Sequence, residues 1–565
     1  MSPVLTRTPT AAILIYTYVD RGGSANITTQ QNEIIVATKS IVSISTTKTK
    51  ASPAGSFRVE LAPTRNWVAA ISPGSWIEIH MSPDYMKPED IYKSSSKTLK
   101  MIGRIDSVRM NIDVDQTSGA RRSVYTLEGK DWGQVFESML YIDPYITNAL
   151  DDAFYKVIKL ISNSELFDKA TPVSQVFSPN ILIKSIIRAW GSQQPIEPGV
   201  PDMNRWAPLS QFVLPIALAA KVDKTIPSYN LADNIHYKFG RISFTSNKEQ
   251  YESSEVEATG FMNPNSLVGV HSVWQILTEH SAHVVNEMFC EMRWEGDKPQ
   301  LSLFKRPRPF WLSPTPPANP DALKITSPFF NLKKTKIPQE LIVSVNAGDN
   351  WRDLVNFIEL MPDFSSVTLP EEAAKAAMGA WTKADAAIYD TSGGSFARNG
   401  LKPMMFSTTF LPPNESGTGD PSRLKNWLPV LKHWYFDTHK MLNGSVTFMG
   451  LDDYVGVGEN ISFDASTLGM TNFVKEQAKA GLSVKNKTSN VQMVAHIEAV
   501  GHRFSYTENG SRSYVTTVNF VRGVFADPSG SVLTDSQSFG IDTDGNALKP
   551  EDEIVKDSYQ IDATK

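Results

Sequence analysis

From Gly55 onward, apolar and charged positions alternate: Phe57, Val59 and Leu61 share one side of an extended chain, and Arg58 and Glu60 share the other. A period of two marks a strand with one face in a core and one in water. ISPGSWIEIHM (71–81) continues the pattern with a Pro73-Gly74 turn and an extended run from Trp76. MIGRIDSVRMNIDV (101–114), a polar turn at 117–120 and RRSVYTLEGKDWG (121–133) follow. So many short strands in so compact a stretch predict a small barrel or sandwich.

Beyond Asp152 the period lengthens. DAFYKVIKLI (152–161), NILIKSIIRAW (180–190) and LSQFVLPIALAA (209–220) place apolar residues three and four apart, as does SVWQILTEHSAHVV (272–285). That spacing predicts amphipathic helices. The last of these leads into NEMFCEMRWEGDKPQLSLFKRPRPF (286–310), where Met288, Cys290, Met292 and Trp294 alternate, EGDK turns the chain and Leu301 and Leu303 return it. The expectation is a β-hairpin with a basic, proline-stiffened exit through Lys305, Arg306 and Arg308 to Phe310, its basic end in solvent or at a protein interface. Strands resume at QELIVSVNA and LVNFIELM. They resume again at GSVTFMGLDDYVGVGENISFD (444–464) and VAHIEAVGHRFSYTENGSRSYVTTVNFVRG (494–523). Between them, 363–434 reads as an insertion with an Ala-rich helix (371–381), a Gly/Ser loop and a second helical stretch (422–436).

The two β regions echo each other. Ile105-Asp106-Ser107-Val108 matches Ile497-Glu498-Ala499-Val500, and each is followed by a hairpin that closes on glycine, Gly129 or Gly523. Upstream, SPGSWIEI matches GVGENISF, with Gly74 and Gly458 as turn glycines. Two related modules per chain would let three copies present six similar units around an axis.

Three stretches together resemble the central baseplate hub proteins of contractile-tailed phages and related injection machines, the late-control D and Mu-type hubs among them. The first is PGSWIEI with GRIDSVRMNIDV and LEGKDWGQVFES, carrying Gly74, Trp76 and Trp132. The second is the hairpin, with Asn286 and Glu287 at its start and Arg306 and Phe310 at its end. The third is the closing β region, with Gly458 and the terminal Arg522-Gly523. The resemblance spans roughly residues 55–523, and these ten residues are the structural and interaction candidates.

It implies a homotrimer that adapts a sixfold tail tube to a threefold central spike. The tube or a tube-terminating protein, the spike, the tape-measure protein and the baseplate wedge would be its partners. DNA would be only passing cargo, and the protein would reside in the virion baseplate after synthesis in the host cytoplasm.

The fold expectation is a mixed α/β, β-rich chain: two related small tube-like β-barrel domains flank an α+β middle region, and a helical insertion interrupts the second barrel. The boundaries are an N-terminal arm with a strand (1–34), the first barrel (35–135), the central region (136–335), the second barrel (336–362 and 435–527), the insertion (363–434) and an acidic tail (528–565) without a core of its own.

Composition narrows the functions. At 565 residues, 41% hydrophobic and net charge -5, the chain has enough apolar content for real cores and no global positive field for nucleic acid or anionic membrane. The longest nearly uncharged stretch, Trp206 to Ala220, is too short for a ~30 Å hydrocarbon layer, and Ala11 to Val19 alternates like a strand. No stable membrane association is expected. A lone cysteine, Cys290, excludes an internal disulfide and a cysteine-framed zinc site; alternating with two methionines, it reads as inert packing.

Glu279-His280-Ser281-Ala282-His283 has the wrong order and spacing for a zincin, and Asp452-Asp453 beside Tyr454 lacks the geometry of a glycosidase pair. No catalytic residue, metal site or cofactor is assigned. The alternatives are a tail-associated peptidoglycan hydrolase, with its site in the insertion or tail, and a carbohydrate-binding receptor protein using Trp381, Trp427 and Trp434.

Overall fold

A computed structural model describes, with short gaps, residues 7–19, 31–142, 270–307, 332–362, 399–411, 427–464 and 492–526, together with short strands at 213–215, 228–230, 235–239, 259–260 and 387–389. The fold is β-rich, with a curled, half-barrel sheet and few helices. The principal strands are β1 (Thr10–Val19), β2 (Gln31–Ala37), β3 (Ile41–Thr49), β4 (Ser56–Leu61), β5 (Trp76–Ser82), β6 (Leu99–Val114), β7 (Arg121–Asp131), β8 (Asn286–Glu295), β9 (Lys298–Pro307), β10 (Lys334–Lys336), β11 (Ile342–Gly348), β12 (Leu442–Met449), β13 (Asn460–Asp464), β14 (Gln492–Tyr506) and β15 (Arg512–Ala526). All but β8 and β9 form a single 13-stranded sheet in the order β11-β12-β15-β14-β3-β4-β7-β6-β5-β1-β2, with β13 also on β14 and β10 on β13.

Alternation explains the strands. In β4, Phe57, Val59 and Leu61 are buried while Ser56 and Arg58 face water. Their side chains enter a core with Ile13, Ile44, Ile77, Ile79 and Leu127, and a second core gathers Val446, Phe448, Ile461, Phe463, Ile497, Val518 and Phe520.

The sheet repeats itself. The run β5-β6-β7-β4-β3 has the same strand order as β13-β14-β15-β12-β11. Register shifts fall at matched points: Ile105/Ser107 and Ile497/Ala499 in the long hairpins, Ile41/Ser43 and Ile342/Ser344 in the outer strands. Gly74 N–H donates to Ile105 O at 2.7 Å and Gly458 N–H to Ile497 O at 2.9 Å, and both glycines have positive φ. A positive φ there requires the conformational freedom of glycine. The matched Ile-x-x-Val stretches are therefore the same bulge built twice. The hairpin-closing glycines are not equivalent. Gly129 lies opposite Ile105, whereas the residue opposite Ile497 is Phe520, so Phe520 and not Gly523 occupies the place of Gly129.

Several expectations need correction. The strand of the N-terminal arm, β1, pairs with β5 and supplies Ala11, Ile13 and Ile15 to the first core. The helix expected over 272–285 runs only from Val273 to Glu279. The stretch 209–220 contains a strand, Val213–Pro215, instead of a continuous helix. Among the described residues Phe357–Pro362 pairs with no strand of the 13-stranded sheet; it forms a separate sheet with Ala387–Tyr389 and Pro403–Thr408, so the insertion is not only helical. The helix in the insertion's second half is Leu428–Tyr435. The helices expected at 152–161, 180–190 and 371–381, and the tail 528–565, lie outside the described residues. Among those residues no helix is long and apolar enough to cross a membrane.

Candidate functional site

The hairpin of β8 and β9 forms as its alternation predicts, with Glu287 opposite Arg306 across the two strands. Both of its faces are buried. Phe289 and Phe304 stack at 4.8 Å between centroids within the second core, while Cys290 and Met292 are buried on the alternate face. A strand buried on both sides leaves no solvated face for the charges it carries, so they need partners.

Those partners come from both halves of the sheet. Arg306 Nε donates to Glu287 Oε1 at 2.7 Å, and its Nη2 donates to Gly458 O at 2.6 Å. Lys50, which follows β3 in the first half, donates from Nζ to Glu287 Oε2 at 2.9 Å and reaches Glu498 Oε1 at 2.6 Å. Lys50 Nζ also lies 3.1 Å from His496 Nε2, and His496 Nδ1 lies 3.2 Å from Asn460 Oδ1. An ammonium can only donate, so Nε2 accepts and Nδ1 carries the proton toward Asn460. Burial and the Lys50 cation hold His496 well below its ordinary value, consistent with that neutral tautomer. Burial would raise the Glu287 carboxyl, but Lys50 and Arg306 outweigh it and hold the group well below the usual carboxylate range.

A second set sits further along β8, toward the turn of the hairpin. Glu291 accepts from Tyr454 Oη at 2.7 Å and from Val457 N–H at 2.6 Å. Arg293 donates to Val457 O at 2.9 Å. Lys48 is buried and paired with Asp131. Burial pushes the Cys290 thiol far up, which makes it a poor nucleophile.

The structure thus brings Glu287, Arg306 and Gly458 together, with Asn286 beside them donating from Nδ2 to Ser281 O at 3.0 Å. The other candidates lie elsewhere. Gly74 accepts from Arg104 Nε at 3.1 Å, and Trp76 starts β5 next to it. Trp132 meets Phe136 edge-on at 6.2 Å. Arg522, at φ 57°, lays its guanidinium 3.3 Å from the centroid of Trp434, and Gly523 pairs with Leu442. Phe310 lies outside the described residues.

The basic hairpin end is not solvated: Lys305 and Arg306 are buried. Trp427 and Trp434 are buried too, which removes them as a sugar platform; Trp381 lies outside the described residues. His283 is exposed in a turn, and among the described residues no group of three His, Cys, Asp or Glu is placed to hold a metal ion.

Sequence reasoning missed Lys48, Lys50, Glu291, Tyr454 and His496. One signal was available: Lys48 continues the inward period of Ile44 and Thr46, and a lysine on the core side of a strand requires a buried partner. Chemically the arrangement is a fastener. Its charges are used up on one another, and any other seating of the hairpin would strand them without compensation.

No protein-family model matches the chain, and no curated protein does. Solved structures do. A tail protein from Neisseria meningitidis MC58 aligns at 9% identity over 91% of this chain and 96% of its own, with a TM-score of 0.39. The 43 kDa tail protein of prophage MuSo2 from Shewanella oneidensis aligns at 10% identity over 91% of this chain and 98% of its own, also at 0.39. The lidded PdpA-VgrG complex of Francisella aligns at 8% identity over 92% of this chain and 54% of the matched chain, at 0.35.

Proposed function

We infer that the chain is a structural hub of a contractile tail: a homotrimer whose six barrel-like halves adapt a sixfold tube to a threefold spike. The observation that carries this reading is the repetition within the sheet, with the same strand order, the same bulges and the same glycine turn in both halves. Two like modules per chain give a threefold assembly a quasi-sixfold rim, which is what joining objects of different symmetry requires.

In this reading the halves correspond to barrel domains at 35–135 and at 336–362 with 435–527, with β1 added to the first. The fastened hairpin holds them at a fixed spacing. The tube or its terminating protein, the spike, the tape-measure protein and the wedge are the partners, bound through large obligate interfaces of above ~2,000 Å². A net charge of -5 suits a channel through which DNA passes without being held, because phosphate affinity grows with each cationic contact. The role is mechanical and the site of action is the virion baseplate.

Cryo-electron microscopy of the intact tail tip tests it. Three copies directly beneath the tube, with their halves at six similar positions around the axis, are expected; a peripheral position or a different copy number would rule the adaptor out.

A further inference from the structure

Because the halves share one strand order, each contact made by one half has a counterpart position in the other. The ladders equate Val108 with Val500, Leu127 with Val518, Val59 with Val446 and Ile44 with Val345. Within the chain, the distal part of β14 lies along β3, with His502 opposite Thr46 and Phe504 opposite Ile44. Phe504 is only 1% exposed and belongs to the first half's core.

The counterparts of these two strands lack that neighbour. β6 corresponds to β14, pairs with β5 only as far as Arg104, and beyond that point keeps β7 alone among the described residues. β11 corresponds to β3 and pairs with β12 alone among the described residues.

Burial records the missing cover position by position. Ile41, Ile44 and Thr46 of β3 are buried, while their counterparts Ile342, Val345 and Ala347 are half-buried. His502 and Phe504 of β14 are buried, while their counterparts Met110 and Ile112 are 47% and 57% exposed. The inward alternation is unchanged, and a layer has been removed from it. An exposed apolar edge with unpaired backbone groups is a template for another strand.

We propose that the free edge of β6 in one copy pairs antiparallel with the free edge of β11 in a second copy of this chain, in the register that β14 uses on β3. Met110 then stands opposite Ala347, Asn111 opposite Asn346, Ile112 opposite Val345 and Asp113 opposite Ser344. A second copy is the occupant because each chain carries both complementary edges and already contains one formed instance of the pairing. The two edges are different surfaces, so the contact is heterologous and builds a ring when the rotation closes. Only the number of copies in that ring rests on the hub reading.

Mixing a full-length Ile112→Cys chain with a Val345→Cys chain under mild oxidation tests the register, since the native Cys290 is buried. A disulfide-linked dimer is expected from the mixture and from neither variant alone. Replacing the second chain by Ser344→Cys, whose side chain faces away, should lower the yield at least ~10-fold. In parallel, a Met110→Asp/Ile112→Asp chain, changed only at exposed positions, should keep the circular dichroism of the folded chain while its mass in solution falls to that of one copy.

Multi-copy complexes without the 112–345 cross-link would overturn the edge pairing and leave the hub reading standing. The cross-link in complexes of some number other than three would uphold the pairing and count against the hub. A chain that stays single at every concentration and forms no cross-link overturns the pairing.

Discussion

Gly458 and Gly74 occupy the same point of the two halves, yet their surroundings set different tolerances. A Cβ on Gly458 would come within 2.4 Å of the Phe289 ring, packed in the core, whereas on Gly74 it would meet the movable end of Arg104 at 3.0 Å. Both positions have positive φ, so alanine is strained at either. Gly458→Ala should therefore lower the unfolding free energy by ~2–3 kcal/mol and Gly74→Ala by ~1 kcal/mol, read from denaturant midpoints; equal losses would contradict the packing argument.

Glu287 gives a pH-dependent counterpart. Its folded pKa lies below its ordinary value of 4.5, so its contribution is complete above that pH and fades as the pH falls toward the folded value. Glu287→Gln removes the carboxylate that Arg306 and Lys50 share, leaving Lys50 its contact with Glu498, and should cost ~3–5 kcal/mol at pH 7. That deficit should shrink between pH 4.5 and pH 3 in urea titrations, and a gap that stays constant would show that the charge is not what matters.

At the scale of elements, the bulges set which side chains reach the core. Glu498 is the extra residue between Ile497 and Ala499 in β14, and it also holds the outer end of Lys50. Deleting it leaves a regular ladder in which Ile497 still faces Phe520 and Val500 still faces Val518, but removes the local twist of the bulge and the Glu498 contact with Lys50. The deletion should lower the melting temperature while the transition, followed by near-ultraviolet circular dichroism, stays cooperative; loss of cooperativity would mean that the fold depends on the bulge itself. Glu498→Gln, which keeps the count, should cost under ~1 kcal/mol.

This element was legible in the sequence as Ile-Glu-Ala-Val answering Ile-Asp-Ser-Val, because a bulge repeated twice leaves the same local spacing. The hairpin at 286–307 was legible because its residues alternate without interruption on both sides of a turn. The strand at 213–215 was not: apolar residues that alternate poorly satisfy a helical period and a short buried strand alike, and pairing with Ser228–Asn230 decides between them.

On the scale of the whole molecule, the halves are one cooperative body. β14 of the second half hydrogen-bonds to β3 of the first, and Phe504 and Tyr514 fill the first half's core. Truncation in one half should therefore be felt in the other. Phe504→Ala should remove ~3–5 kcal/mol and speed hydrogen exchange in peptides covering 77–81 and 125–131. Faster exchange confined to 492–526 would mean that the halves open independently.

Local alternation, turn glycines and the recurring bulge are short-range properties, and for that reason the chain's own order of residues was enough to define the strands of the two long hairpins, the hairpin at 286–307 and the matched bulge. Partner choice is long-range. Glu287 finds Arg306 across a turn, but Gly458, Lys50 and His496 reach the same spot from distant parts of the chain, so Arg306, read as lying in solvent or at a protein interface, becomes part of a buried fastener. Tertiary structure alone decided that β1 belongs to the sheet, that Trp427 and Trp434 are core, and that the edges of β6 and β11 have no further strand beside them among the described residues. Such outcomes depend on which surfaces meet, and no window along the sequence contains both sides of a contact.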